Sequence, residues 1–162
     1  MPRRLYACVL SLAAASLAFG ETKEVTVIAA AHESQLEAGI GPIQLKDHGG
    51  VVIRGPQDLV AMSTKADGKK DAAIQKEIEA ELAKVLEVSA IDWNKQMVIA
   101  LRGVAGTKLD RIHIESLKID GKALIVSWKI KQRPPHAGPG SPVAVLLVDR
   151  FDDEVKFVES GR

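Results

Sequence analysis

The feature that most constrains the fold is an alternation of apolar and polar side chains over residues 96–130. A period of two is typical of strands that bury one face. Asp120-Gly121 lies inside this stretch, where a two-residue hairpin turn fits. We therefore predict a β-hairpin at the centre of the fold. With Asp120 and Gly121 as the turn residues, the predicted pairs are Ile119 with Lys122 and Leu117 with Leu124.

The apolar positions change parity between Ile114 and Leu117. Continuing the pairing without a break would place polar residues opposite apolar ones, whereas one extra residue at Glu115-Ser116 restores the match. We therefore predict a β-bulge at Glu115-Ser116, which twists and curves the sheet. Beyond the bulge, the predicted pairs are Ile114 with Val126 and Ile112 with Trp128.

The rest of the chain predicts further strands and two helices. Pro56 suits the first turn of a short helix at residues 57–62, and apolar residues recur at helical spacing over residues 71–87. We predict an α+β fold: a curved, mainly antiparallel β-sheet, sandwich- or barrel-like, with one long helix packed on it. Residues 29–50 are glycine-rich and predict mostly loop. The other predicted strands are residues 24–28, 51–53, 143–148 and 154–158, with 143–148 apolar on both faces and 154–158 returning across a turn.

The first twenty residues have the organisation of a secretory signal peptide. Arg3 and Arg4 precede an apolar run, and small residues at Ala18 and Gly20 precede the charged Glu21. We predict cleavage near Gly20-Glu21 and a secreted or periplasmic location. Residues 1–20 are then the signal peptide, and residues 21–162 form a single β-rich domain.

Cysteine and charge narrow the classes of function. Cys8 is the only cysteine and lies within the leader, so we expect neither a disulfide nor thiol chemistry in the mature chain. Lipid attachment at Cys8 is the less favoured alternative, because the apolar run follows it. The formal net charge is +1 for the whole sequence and becomes −1 once Arg3 and Arg4 leave with the leader. A near-neutral chain argues against nucleic acid or anionic lipid as the main partner. No second apolar run approaches the length of a transmembrane segment.

The sequence shows no catalytic signature. His32, His48, His113 and His136 lack the spacing of metal ligands, and Ser34 beside His32 is the only suggestion of a hydrolase. We expect no enzymatic activity, no catalytic residues, no bound metal and no cofactor.

A proline-rich loop at residues 133–141 is the predicted partner-binding segment. Prolines restrict the chain, so ordering such a loop on a partner costs less entropy than ordering a flexible one. Arg133 offers a charged donor set, and His136 a charge that changes near neutral pH, which suits an acidic partner. A connection without a role is the alternative, and residues 103–109 are the next candidate. The predicted binding residues are Arg133, Pro134, Pro135, His136 and Gly138.

Several hydrophobic patterns resemble those of the PrcB-like protease-stability-complex domain. They include Ile91-Asp92-Trp93, the strand at residues 97–101, the Ile-His-Ile run at residues 112–114 and Asp120-Gly121-Lys122, within a region of about residues 50–160. The resemblance implies a small secreted or envelope domain that associates with an extracellular protease and stabilises it. The segment at residues 106–109 lacks the second glycine and the tyrosine usual in that family.

Three functions from different classes follow. The favoured one is an exported, non-catalytic binding or accessory domain, whose partner is another exported protein such as a protease. The alternative is a protease inhibitor of the chagasin-like kind, in which loops at one end of a sandwich enter the protease cleft. The third is a hydrolase that uses Ser34 or a histidine.

Overall fold

The computed structural model describes residues 22–35, 39–63, 72–104, 106–107, 111–131 and 139–160. These residues form strands and two helices. The helices are α1 (Pro56–Met62) and α2 (Ala72–Val85). The strands are β1 (Lys23–Glu24), β2 (Val27–Gln35), β3 (Gly39–Ile40), β4 (Ile43–Gln44), β5 (Gly49–Ile53), β6 (Gln96–Arg102), β7 (Gly106–Thr107), β8 (Arg111–Asp120), β9 (Ala123–Lys131), β10 (Pro139–Asp149) and β11 (Glu154–Glu159).

Most strands belong to two open sheets. The central sheet has the order β2-β10-β6-β5 and is antiparallel throughout, with β7 pairing with the start of β10. The outer sheet has the order β1-β8-β9-β11, in which β11 runs parallel to β9 and the other pairs are antiparallel. Strands β3 and β4 form a small ribbon of their own.

The central sheet lies between two other layers. One of its faces packs on the outer sheet, where Leu101 and Leu146 meet Leu124 and Trp128. Its other face packs on the helices and the β3-β4 ribbon, where Val145 belongs to the same cluster as Leu59, Ile78 and Leu82. The prediction that residues 143–148 bury both faces is therefore confirmed, since all of them are buried.

The fold is α+β and β-rich, as predicted, but two details of the prediction are wrong. Neither of the main sheets closes into a barrel, because each ends in strands that do not pair with each other. The helical layer contains two helices rather than one long one, and both contribute fully buried residues, Leu59 from α1 and Ile78 from α2. Across the ranges that the structure covers, no helix is long and apolar enough to span a membrane.

The β8-β9 hairpin has the predicted bulge but a different register. Gly121 takes a φ of +59°, and Asp120 pairs with Ala123, so the two turn residues are Gly121 and Lys122. The ladder shifts between Ile114 and Ser116, which confirms the bulge. In each predicted pair, the residue assigned to β9 comes two positions before the observed partner in the sequence. The observed pairs are Ile119 with Leu124, Leu117 with Val126, Ile114 with Trp128 and Ile112 with Ile130.

Two further expectations are wrong. The stretch from Ala29 to Gln35, predicted as loop, belongs to the long strand β2, which pairs with β10 along most of its length. Strand β11 does not return alongside β10; it crosses to the outer sheet and pairs with β9. Arg54 fixes this crossing, because its guanidinium donates to the carbonyl oxygens of Phe151 (3.2 Å) and Asp153 (2.8 Å).

Candidate functional site

The two candidate loops leave the sandwich at the same end. Arg111 pairs with Lys131 where β8 starts and β9 ends, and β7 pairs with the first residues of β10. The segments at residues 103–110 and 132–138 therefore connect strand ends that are neighbours in space. We call this the loop end of the sandwich.

Close packing fixes the position of β6 at the loop end. Gly103 is buried, and its N–H donates to the carbonyl oxygen of Pro142 at 2.8 Å. A Cβ added at Gly103 would lie 2.6 Å from the Pro142 ring and 2.9 Å from the end of the Ile130 side chain. Only glycine allows this approach, which holds the start of the 103–110 segment against β9 and β10.

The predicted partner-binding residues Arg133, Pro134, Pro135, His136 and Gly138 lie outside the described residues. The end of the predicted loop lies inside them and differs from the expectation. Strand β10 begins at Pro139, and Ser141 is buried and pairs with Gln35 of β2. The predicted loop at residues 133–141 is therefore shorter than the sequence suggested, and Ser141 is no part of an exposed surface.

Four basic or imidazole side chains lie together on the outer sheet at the loop end. Arg111 lies directly opposite Lys131, and His113 directly opposite Lys129. Residues opposite each other in an antiparallel ladder share a face, and Arg111, His113 and Lys131 are exposed. We call this set the basic patch. Like charges at such positions destabilise a sheet, so the patch has a cost in folding free energy.

The charges of the patch are only partly neutralised. Lys129 forms an ion pair with Glu115, whereas Arg111 and Lys131 form none with a described residue. The other lysines on this face have acidic neighbours, since Lys118 contacts Glu24 at 3.8 Å and Lys156 contacts Glu154 at 3.3 Å. The loop end is therefore the part of the outer sheet with excess positive charge.

Glu115, the extra residue of the bulge, lies at the edge of the basic patch and binds one of its lysines. Its carboxylate accepts hydrogen bonds from Lys129 and from the hydroxyl of Ser160, and both bonds lower its pKa below the usual value. The Ser160 N–H also donates to the carbonyl oxygen of Trp128 at 2.8 Å. Glu115 thus ties the end of β11 to the β8-β9 hairpin.

A second polar contact joins the two sheets at the edge where β5 lies. His48 Nε2 lies 2.8 Å from Glu159 Oε2, and the His48 ring lies 5.6 Å from the ring of Trp128. Trp128 is buried, and its indole N–H has no hydrogen-bond acceptor among the described residues. The contact between His48 and Glu159 could not be predicted from the sequence, because the two residues lie 111 positions apart.

His32 lies on β2, which is the edge of the central sheet opposite to β5. Partial desolvation lowers the pKa of its imidazole, although the side chain is exposed to solvent on one side, and the nearby Arg111 and His113 lower the pKa further. Strands β2 and β8 contact each other directly. His113 is exposed, as its predicted outward position requires.

Ser160 and His48 do not form a nucleophile–base pair with each other. Ser160 donates to Glu115 and to a backbone carbonyl, while His48 contacts Glu159. The Glu115 carboxylate that accepts from Ser160 is a weak base, because its pKa is lowered by the hydrogen bonds from Lys129 and Ser160, and the contact of His48 is with Glu159 rather than with a serine. The side chain of Ser34 lies outside the described set. Within the described ranges, no group of three or more histidine, cysteine, aspartate or glutamate residues could hold a metal ion.

Comparison with protein-family models, with curated proteins and with solved structures gave no match. The resemblance to the PrcB-like domain therefore stays a prediction.

Proposed function

We propose that the mature chain is an exported, non-catalytic binding domain that associates with another exported protein. The observation that supports the proposal is the basic patch, whose cations Arg111 and Lys131 lie side by side without an acidic neighbour among the described residues. A like-charge pair costs stability. The carboxylates of an acidic partner would offset the repulsion between these two cations, so binding would be favoured. The positive charge of the patch would also attract such a partner during association.

The position of the patch also supports a binding role. Lys131 is the last residue of β9, so the predicted binding residues Arg133 and His136 follow it directly in the chain. The exposed Val104 begins the neighbouring segment. Binding residues often lie on loops that a rigid scaffold holds in place. The basic patch lies on such a scaffold, between the two connecting segments. The PrcB-like resemblance adds a class of partner, a secreted protease that the domain stabilises.

The proposal is tested by affinity capture of partners with the exported, tagged protein. The double variant Arg133→Ala/His136→Ala should capture less partner than the wild type at an equal melting temperature. Lys118→Ala/Lys156→Ala, which removes two cations from the far part of the same face, is the matched control and should capture normally. Failure of the wild type to enrich any exported protein over an unrelated exported domain would contradict the proposal.

A protease inhibitor that inserts its loops is the second candidate, and one observation favours it. Both candidate segments start and end at the same end of the sandwich, as a two-loop insertion into a cleft requires. Incubation of the purified protein with a panel of secreted proteases separates the two functions. Dose-dependent loss of protease activity indicates an inhibitor, whereas slower thermal inactivation of a protease indicates an accessory subunit.

A further inference from the structure

The edge of β8 that faces away from β9 has a neighbour over only part of its length. Strand β1 pairs with it at Lys118 and Ile119, and the Val25 N–H donates to the Leu117 carbonyl at 2.8 Å. The chain then crosses to the central sheet, where β2 begins at Val27. Among the described residues, no strand pairs with this edge at residues 111–116. An unpaired edge presents N–H and C=O groups to any extended chain beside it.

The bulge divides this free edge into two parts. Glu115 is the extra residue of the ladder, so regular pairing positions run from Arg111 to Ile114. Four residues of strand span about 13 Å. A short interface of this kind contributes few backbone hydrogen bonds, so specific binding needs side-chain contacts in addition.

The basic patch supplies those contacts. Arg111 and His113 alternate along the free edge on the outer face, with Lys131 and Lys129 directly behind them on β9. A strand laid beside β8 would place every second side chain on this same face. Acidic residues at those positions would lie next to the cations of the patch, and small or apolar residues at the other positions would lie beside Ile112 and toward β2.

We propose that residues 111–114 of β8 accept an extended acidic segment of the exported partner, which pairs as an added strand and places carboxylates on Arg111 and Lys131. The inference rests on the proposed binding function and names the chemistry of the partner. The added strand would lie on the same edge of β8 as β1, in the position that β1 would take if it continued beyond Val25. It would therefore extend the pairing of the outer sheet along residues 111–114. Strand addition of this kind takes affinity from the backbone and specificity from alternate side chains.

The test uses a blocked, fluorescent peptide in which glutamate alternates with valine, measured by fluorescence anisotropy with the full mature protein. We expect saturable binding that weakens with added salt, because exposed charges are screened. A peptide with glutamine in place of glutamate should bind at least about fivefold more weakly. A third peptide keeps the glutamates but carries an N-methyl group on every backbone nitrogen, so that neither of its edges can donate hydrogen bonds to β8. It should also bind more weakly, since it cannot complete the ladder.

Protein variants locate the site. Arg111→Gln/Lys131→Gln should weaken peptide binding by about fivefold or more, whereas the control Lys118→Gln/Lys156→Gln should leave it within about twofold. Hydrogen exchange should show new protection of amides at residues 111–114 in the complex. Both double variants change exposed side chains, and their thermal unfolding confirms that each is folded.

The possible outcomes separate the inference from the function. No binding of the alternating peptide, or equal binding of its N-methylated form, overturns strand addition. Equal binding of the peptide and a sulfated polysaccharide, without protection of β8, also overturns it and indicates a general anion surface. If the tagged protein captures a partner that Arg111→Gln/Lys131→Gln does not affect, this inference and the placement of the partner on the basic patch fail, while the binding function itself stands. If it captures none, the proposed function fails.

Discussion

Replacing Leu124 by Ala tests the packing of the two sheets most sharply. Leu124 is fully buried between the inner faces of the sheets, opposite Ile119 on β8 and Val155 on β11. Truncation leaves a cavity among neighbours that belong to two rigid sheets. We expect the free energy of unfolding to fall by about 2–5 kcal/mol, the range for a buried leucine.

Ile125→Ala is the matched control, because it removes an aliphatic side chain from the next position of the same strand. Ile125 is only half-buried and lies on the outer face, beside Lys118 and Lys156. Its loss should cost about 1 kcal/mol or less. Urea denaturation with comparable slopes measures both values. Equal costs, or a larger cost for Ile125→Ala, would show that the faces of β9 are assigned wrongly.

Three further outcomes are expected. The exported protein should begin at or near Glu21, and intact-mass measurement that finds residues 1–20 retained would refute the leader. Partial desolvation in the folded protein lowers the pKa of His32 below its ordinary 6.5, so the unfolded chain takes up this proton at a higher pH. The free energy of unfolding should therefore fall as the pH falls below about 6.5. His32→Gln should reduce the stability difference between about pH 7.5 and about pH 5.5, and an unchanged difference would contradict this role. Gly50→Ala should destabilise the fold, because the added Cβ would lie 2.2 Å from the Phe157 ring. Denaturation should show a smaller cost of Gly50→Ala in a Phe157→Ala background, and equal costs would exclude the clash.

The buried face of the hairpin could be predicted from the sequence because side-chain parity is a local property. Ile112, Leu117, Leu124 and Val126 all lie in the core between the two sheets. The register could not be predicted in the same way, since a shift of two residues leaves every inward residue facing inward. The backbone conformation at Gly121 decides the register, and Asp-Gly fits more than one turn.

Strand β2 was missed for a different reason. Its sequence from Ala29 to Gln35 is rich in alanine and lacks β-branched residues, so it carries little strand propensity. Pairing with β10 makes it a strand, and that pairing joins residues more than one hundred positions apart. Glycines further along the same stretch reinforced the expectation of a loop.

The register error changed which residues of the basic patch pair with each other. The predicted register places Arg111 opposite Lys129 and His113 opposite Ser127, whereas the observed ladder places Arg111 opposite Lys131 and His113 opposite Lys129. Assigning the turn to Gly121 and Lys122 would have given the observed pairs from the sequence. The contact between His48 and Glu159 could not be predicted in this way, because it depends on how the edges of two different sheets meet.

Site-specific photo-cross-linking tests the central claim, that the basic patch contacts the partner, most directly. A photoreactive amino acid replaces His113 in one protein, which keeps Arg111 and Lys131 in place, and Lys122, in the turn at the far end of the hairpin, in the other. Both proteins are exported in their natural setting and irradiated. We expect a covalent adduct with an exported protein from position 113 and none from position 122. Adducts of equal yield from both positions, or from position 122 alone, would contradict the claim.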